Sequence, residues 1–518
     1  MDRRIAQGPP PSDPPALAAA GEGFDPGTAP PGGSASRVKA RSSVLVGLGI
    51  VAVVLVVYVL SNPLRTNFYN HFVWQASAWL EGQGTIRYPV PPSAGEPGND
   101  YFQDVLPVVD EAGAPTGRGL LPFPPLPALL LAPFVAVWGL STNAQLVAAV
   151  VGALDVGLAF WMLGRLGVRP SNRVAVTFFF ALGTAFWYAS EKGTTWFFAH
   201  LVAVPLTMAA VGIALGRDRA AAAGALAPLA EDDEASGEAP EEASREATKQ
   251  DRPRLAVRPA GLRRLIDGHQ LLAGVLFGLA CTGRLTILFG APFFLLVGGG
   301  DGWRRRTLSA GLGAAVPIAG LLAYNVISTG HVFNPAYDYL YRAETASYTF
   351  LDYRPEWAIE DPRYIPRNLA LMLIGPPRLN PATLDFGEPL CSTTGASRGW
   401  FNPDCPILIP DSVGMGLLLT SPAYLLALPA LRRYGRSRLV TGAALAILFI
   451  AVINLMHFSQ GWVQFGYRFS LDFAPFLLLL VAAGIHQLGG LGRPAIALIL
   501  GSIAVQAWGV WWGAALGW

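Results

Sequence analysis

Charged residues are scarce in this chain. Asp, Glu, Lys and Arg make up 14% of its 518 residues, whereas 52% are hydrophobic. A soluble globular protein carries roughly 25% charged residues, so the composition excludes an ordinary soluble enzyme. Apolar runs of about 18 to 22 residues recur along the chain, and each is long enough to cross a bilayer. The sequence therefore predicts an all-α polytopic membrane protein.

Other absences narrow the class. Residues 1–36 contain no apolar run, so we expect no signal peptide. The formal net charge is only +2, which favours no nucleic-acid partner. Neither an internal repeat nor paired broken helices are visible, although many alternating-access transporters have them. No zinc-like pairing of Cys and His is visible, so no metal-binding residues are predicted, and whether a metal is used stays open. No cofactor is expected.

Cysteine is rare, with three residues in all. Cys281 lies in an apolar run and is expected to be inert packing. Cys391 and Cys405 share the polar loop "CSTTGASRGWFNPDC". A disulfide is expected there if the loop is extracytoplasmic, and two free thiols are the alternative.

Cationic connectors predict the orientation of the spans. Arg37, Lys39 and Arg41 precede the first apolar run, 43–61, which favours a cytoplasmic N-terminus. Eleven to thirteen spans are expected. The candidate apolar runs are 43–61, 122–140, 144–164, 174–190, 197–216, 268–284, 286–300, 308–327, 413–431, 439–456, 473–487 and 495–513. The predicted parts are a disordered cytoplasmic tail at 1–42, a first transmembrane part at 43–215 with an outside loop at 62–121, a disordered cytoplasmic linker at 216–266, a second transmembrane part at 267–327, a large extracytoplasmic loop at 328–412 and a C-terminal transmembrane part at 413–518.

The segment between residues 122 and 165 gives a topological conflict. Positive-inside orientation requires an odd number of crossings there, yet two apolar runs are present. Either the Pro-rich run "LPFPPLPALLLAPFVAVWG" is a half-span or re-entrant segment, or Arg165 is not cytoplasmic. Both interpretations stay open.

Four motifs carry a family resemblance. The segment "NHFVWQASAWLEG" follows the first span, and "FPPLPALLLAPF", "AGVLFGLACTGRLT" and "GYRFSLDFAPFLLLL" follow in that order. Together they resemble the GT-C membrane glycosyltransferases, and within them the family 39 group of protein O-mannosyltransferases and aminoarabinose transferases. The resemblance implies a GT-C-type helical bundle whose extracytoplasmic loops bear short interfacial helices. One such helix is expected after the first span, because Phe68, Phe72, Ala76 and Trp79 have helical spacing.

The resemblance also implies a reaction. A sugar would pass from a polyprenyl-phosphate-linked donor to a glycan, lipid or protein acceptor on the extracytoplasmic face of the plasma (inner) membrane. The family's acidic pair, however, falls at Asn70 and His71. Three interpretations stay open: Asp104, later in the same loop, supplies the base; His71 does so; or the chain is catalytically impaired.

The leaving lipid phosphate requires cations. Arg284, Arg468 and Lys192 are the candidates, because they lie at the predicted outer ends of spans. The alternatives are interfacial snorkelling for Arg284 and a structural i,i+4 ion pair between Arg468 and Asp472. The predicted substrate-binding residues are Asn70, Tyr337, Tyr339, Arg342, His200 and Asp472.

Two other functional classes compete with the transferase. One is a transporter or lipid flippase, and the other is a catalytically impaired membrane scaffold. Convergence of Asp104, Arg284, Arg468 and Lys192 on one outward cavity would favour the transferase. Dispersal of these residues would favour the scaffold, and a central cavity reachable from both faces would favour the transporter.

Overall fold

The computed structural model describes residues 33–63, 69–93, 97–228, 265–342, 354, 356–385, 387–392 and 395–518. Most of the predicted tail, 1–32, and most of the predicted linker, 229–264, lie outside the described residues. Residues 33–42 of the predicted tail and residues 219–226 of the predicted linker are helical. The chain divides after Val46 into two units, and all the sites below belong to the second unit.

Helices dominate the structure. They are α1 (Gly33–Ser61), α2 (His71–Leu80), α3 (Leu126–Trp138), α4 (Ala144–Leu166), α5 (Pro170–Leu182), α6 (Phe186–Lys192), α7 (Thr195–Arg217), α8 (Arg219–Leu226), α9 (Gly268–Cys281), α10 (Pro292–Leu296), α11 (Trp303–Thr329), α12 (Ala336–Arg342), α13 (Ile365–Ile374), α14 (Leu417–Thr420), α15 (Leu428–Leu431), α16 (Arg438–Met456), α17 (Ala474–Gln487) and α18 (Arg493–Ala515). Short 3₁₀ helices connect several of them.

Among the residues that the structure describes, six helices are long and apolar enough to cross a membrane. They are Ser42–Ser61 of α1 together with α4, α7, α11, α16 and α18, and the pair α5 and α6, bent by 51°, could form a seventh. The chain is therefore a multi-pass helical membrane protein with fewer candidate spans than the eleven to thirteen expected. The reason is that several apolar runs are broken. The predicted span 413–431, for example, divides into α14, a 3₁₀ helix at Pro422–Ala427 and α15.

The length of α3 bears on the topological conflict. Its 13 residues extend about 20 Å at 1.5 Å per residue, which is less than the roughly 30 Å hydrocarbon core. The backbone N–H of Leu126, at its start, donates to the carbonyl of Thr282. This length favours the half-span interpretation, while α4 has the length of a full span.

Helices α9 and α11 pack with their backbones in close approach. A Cβ placed at Gly278 would lie 2.6 Å from the carbonyl oxygen of Ala314. Gly274 and Gly313 make the same kind of close approach to the facing backbone. Small residues four apart permit this geometry in membrane helices, so the glycines of "AGVLFGLA" position the chain that carries Arg284.

Both large loops contain short strands. In loop 62–121, β1 (Ile86–Arg87), β2 (Leu106–Val109) and β3 (Pro115–Leu120) form an antiparallel sheet in the order β1–β3–β2, in which Ile86 pairs with Gly119. In loop 328–412, β4 (Arg378–Leu379) pairs with β5 (Leu408–Ile409). A disulfide joins Cys391 to Cys405, and Cys281 is a buried free thiol.

Helix α2 differs from the expected interfacial helix. It begins at His71, and its residues from His71 to Ala76, together with Ala78, are buried. Trp79 is half-buried and Leu80 is exposed, whereas Phe68 lies outside the described residues. Because nearly every face is covered by protein, α2 is a packed element of the core. It does not lie on a surface as an amphipathic anchor.

Candidate functional site

One cavity of about 530 Å³ collects chain segments that are distant in sequence. Its walls come from loop 62–121, the starts of α3 and α7, the segment after α9, loop 328–412 and the connector after α16. The residues in its lining that can carry charge or share a proton include Asp104, Arg284, Tyr337, Glu360, His457 and Arg468. Aromatic rings, among them Tyr69 and Trp196, form much of the remaining wall.

Asp104 is held in a defined position on this wall. Its Oδ2 accepts a hydrogen bond of 2.9 Å from the indole Nε1–H of Trp196. Its backbone has φ of 57°, a left-handed conformation that is uncommon for residues other than glycine. Such backbone geometry persists only where the surrounding structure enforces it, and it is concentrated at functional sites. Asp104 lies two residues before strand β2, and its backbone conformation directs the carboxylate into the cavity.

Arg284 is bound in a network centred on Asp472. The guanidinium of Arg284 donates to both carboxylate oxygens, with Nε–Oδ1 at 3.1 Å and Nη2–Oδ2 at 2.8 Å. Thr286 Oγ1 and Asn454 Nδ2 also donate to Oδ2, at 2.8 and 3.2 Å. His200 Nδ1 lies within ion-pair distance of Oδ1, at 3.0 Å. A bidentate pair fixes the orientation of the guanidinium, so Asp472 both neutralises and orients Arg284.

Arg468 contrasts with Arg284. The i,i+4 ion pair with Asp472 that the sequence left open is not formed in the described connector, because Arg284 and its neighbours occupy that carboxylate. The Arg468 guanidinium lies 5.5 Å from the Phe197 ring centre and 5.4 Å from that of Phe469. The side chain is 8% exposed and has no hydrogen bond or ion pair among the residues that the structure describes. A buried cation in this state is costly, and an anion entering the cavity would lower that cost.

His71 lies behind the cavity wall. The side chain is fully buried; its Nε2 is 2.7 Å from the carbonyl of Gln103, and its Nδ1 is 2.9 Å from Thr195 Oγ1. A carbonyl can only accept, so Nε2 carries the proton. Burial lowers the pKa of His71 to about 4, so the ring is neutral near pH 7. With both nitrogens occupied, His71 supports the backbone beside Asp104 and is poorly placed to act as the base.

Three other predicted residues are also placed away from the cavity lining. Asn70 is buried, and its side-chain amide has no partner within the described ranges. Lys192 is buried beside Glu191, with Nζ 3.6 Å from Oε1, because α6 turns this segment into the protein. Tyr339 is 57% exposed.

The remaining predicted residues divide three ways. Tyr337 lines the cavity. His200 does not line the cavity but contacts Asp472 and the ring of Phe469. Arg342 is the last residue of α12, and its side chain lies outside the described part of the chain. Of the four residues chosen to discriminate the functional classes, Asp104, Arg284 and Arg468 converge and Lys192 does not.

Several residues of the site were missed from the sequence. Trp196 holds Asp104, and the signal available was its position in the polar turn "SEKGTTWFFAH". Glu360 and His457 both line the cavity, and His457 Nδ1 lies 3.3 Å from Glu360 Oε1. Asn454, which binds Asp472, sits inside an apolar helix, where a polar side chain is a signal of function or pairing. Within the described ranges, no group of three or more His, Cys, Asp or Glu is placed to hold a metal ion.

Comparison with protein-family models, curated proteins and solved structures finds no match to this chain. The resemblance to GT-C transferases therefore rests on the quoted sequence motifs. The cavity therefore offers a positioned carboxylate, Asp104, which can take a proton, and a buried cation, Arg468, that makes no ion pair or hydrogen bond within the described part of the chain.

Proposed function

We propose that this protein is a GT-C-type membrane glycosyltransferase that moves a sugar from a polyprenyl-phosphate-linked donor to an acceptor on the extracytoplasmic face of the inner membrane. The observation that carries the proposal is the presence of Asp104, Arg284 and Arg468 in the lining of one cavity. Such a transfer needs a base for the acceptor hydroxyl and cations for the departing phosphate.

Arg468 is the principal phosphate-binding residue in this proposal. Its guanidinium makes no ion pair or hydrogen bond among the described residues and lies 5.5 and 5.4 Å from the ring centres of Phe197 and Phe469. Arg284 is the second cation, oriented by Asp472. Arginine suits phosphate because its planar fork can donate two hydrogen bonds at once. As the bond between the anomeric carbon and the phosphate oxygen breaks, the negative charge develops on the oxygen that these groups face.

Asp104 is the base. It accepts the proton of the acceptor hydroxyl while that oxygen forms the new bond to the anomeric carbon. The hydrogen bond from Trp196 leaves the carboxylate oriented toward the bound acceptor. Tyr337 and the other aromatic residues of the wall offer ring faces and a hydroxyl to the sugar. The acidic residue of the family motif is thereby replaced from later in the same loop.

The apolar part of the lining suits the polyprenyl chain. Leu285 and Phe289 line the cavity and are 47% and 41% exposed. Both lie in the apolar segment after α9, where lipid would reach the protein surface. A donor could therefore place its chain against these residues and its phosphate at Arg468.

The alternatives receive less support. A transporter or flippase needs a path to both faces, whereas this cavity lies between the two large loops and the starts of α3 and α7. A catalytically impaired scaffold has no need of a positioned carboxylate beside an unpaired buried cation. The transferase uses both.

The test is a turnover assay. Purified protein is incubated with a panel of polyprenyl-phosphate sugars and candidate acceptors, and release of polyprenyl phosphate is followed. Asp104→Asn is expected to lower turnover by about a hundredfold or more with little change in donor binding. Arg468→Ala is expected to weaken donor binding, because the phosphate loses its unpaired cation.

The matched control is Asp100→Asn, since Asp100 is exposed in the same loop and should tolerate the change. Full activity in Asp104→Asn would contradict the assignment of the base. Movement of the intact donor across a vesicle membrane, with no release of lipid phosphate, would instead favour the flippase.

A further inference from the structure

A second cavity, of about 420 Å³, lies at the opposite end of α7 and α16 from the first. Thr195 and Trp196, at the start of α7, line the first cavity, and Arg217, its last residue, lines the second. The 23 residues of α7 extend about 34 Å, close to the thickness of a bilayer core. The two cavities are therefore separate sites near opposite membrane surfaces.

Arginines dominate this second cavity, whose walls are polar almost throughout. They come from the ends of three candidate spans: Arg217 ends α7, Arg305 and Arg306 lie in the first turn of α11, and Arg438 begins α16. The turn formed by residues 298–300 supplies backbone to the same wall. All of these segments are connectors that the positive-inside rule predicts to be cytoplasmic.

Three carboxylates are also present, and each has a partner. Asp218 Oδ1 lies 3.0 Å from Arg438 Nη2, and Asp301 Oδ2 lies 3.5 Å from Arg305 Nη1. Asp267 Oδ1 accepts from the backbone N–H at the start of α9, 2.9 Å away. Four guanidinium groups thus face three carboxylates, which leaves one positive charge in excess.

Two of the arginines lack a carboxylate partner. Arg306 is 7% exposed; its Nη1 donates to the carbonyl of Leu296 at 2.6 Å, and its Nε has no partner among the described atoms. Arg217 is exposed and makes no ion pair or hydrogen bond within the described residues. The nearly buried guanidinium of Arg306 thus has an unused N–H donor, and Arg217 lines the same cavity without a partner among the described residues. Together these two groups can bind an anion.

We propose that the cavity lined by Arg217, Arg305, Arg306 and Arg438 binds a phosphate group, either that of an anionic phospholipid headgroup or that of a free phosphate compound. Guanidinium groups bind phosphate bidentately, and basic pockets between membrane helices on the cytoplasmic side bind lipid headgroups. The N-terminus of the 27-residue α11 adds favourable dipole charge. The excess of cations disfavours a metal ion, and the polar walls disfavour an apolar ligand. The site is independent of the sugar transfer proposed above.

The test measures phospholipid retention. Full-length protein is loaded with phosphatidylglycerol in detergent micelles, and bound lipid is counted by native mass spectrometry at rising detergent concentration. Arg217→Gln is expected to lower the apparent affinity about tenfold, the loss of one charge-assisted contact. Arg306→Gln is expected to lower it further. Arg304→Gln is the control, because Arg304 is exposed on the same helix turn and lies outside the cavity lining. This variant should bind phosphatidylglycerol with the affinity of the wild type.

Inorganic phosphate distinguishes the two sources. If phosphatidylglycerol is retained and phosphate does not displace it, the ligand is a lipid headgroup. If no lipid is retained but phosphate raises the unfolding temperature of the wild type and not that of Arg217→Gln, the ligand is a free phosphate compound. Equal losses in Arg217→Gln and Arg304→Gln, or binding of neither probe by the wild type, would overturn the proposal. Arg217→Gln decides the matter even if Arg306→Gln does not fold, since Arg217 has no described partner.

Discussion

Lowering the pH from 7 to 5 should destabilise this protein through His71. Its imidazole is fully buried, and burial lowers its pKa to about 4, against about 6.5 in the unfolded chain. Between these values the unfolded chain binds a proton and the folded protein does not. The stability from keeping this group neutral is therefore complete above about pH 6.5 and is lost as the pH falls toward 4. By linkage, the loss between pH 7 and pH 5 is about 2 kcal/mol.

The measurement compares unfolding free energies at the two pH values for the wild type and for His71→Gln. Glutamine can still donate to the carbonyl of Gln103 but does not titrate. His71→Gln should be less stable than the wild type at pH 7, because it loses the ring that stacks on Phe102 with centroids 4.0 Å apart. It should then lose about 2 kcal/mol less than the wild type on acidification.

One control variant and the cancellation of other titrating groups make the comparison decisive. His331→Gln changes an exposed histidine and should leave the pH dependence as in the wild type. Any other buried group that titrates contributes equally to both proteins, so the difference isolates His71. An identical pH dependence in the wild type and His71→Gln would refute the burial of a neutral ring.

Two further predictions concern the cavity and the helix packing beneath it. Trp196→Phe keeps an aromatic ring but removes the N–H group that donates a hydrogen bond to Asp104. In the turnover assay, kcat should therefore fall about tenfold while the donor KM stays unchanged. A loss of the same size in kcat and in donor affinity would contradict a positioning role. Gly278→Leu would place a side chain against backbone 2.6 Å away, so it should separate α9 from α11 and lower the yield of folded protein, whereas a leucine at the open position Gly320 should be tolerated.

The sequence predicted the general architecture better than the number of spans. Apolar runs located α1, α4, α7, α11, α16 and α18 because each is a continuous helix of sufficient length. Hydropathy does not detect a break inside an apolar run, and so the run 286–300 was predicted to be a span. It forms a 3₁₀ helix at Leu285–Gly290 and the five-residue α10. The strands of the two large loops are only two to six residues long, too short to give a periodic signal.

Parts of the site were predictable from spacing and others were not. Asp104, Arg284, Arg468 and Tyr337 were proposed from separate segments, and the structure places all four in one cavity. The ion pair between Arg468 and Asp472 was considered because residues four apart meet on an α-helix. Arg468–Asp472 is instead a 3₁₀ helix, in which residues three apart align. The change of geometry turns Asp472 away from Arg468 and toward Arg284.

This change of partner makes the two cavity arginines unequal in the proposed reaction. The Asp472 carboxylate accepts from Arg284, Thr286 and Asn454, so Arg284 keeps both its orientation and its counterion when the cavity is empty. Arg468 makes no such bidentate pair among the described residues, and the rings beside it only partly offset the cost of burying its charge. That cost is relieved when a phosphate arrives, and the relief adds to donor affinity. Donor binding should therefore depend more on Arg468 than on Arg284.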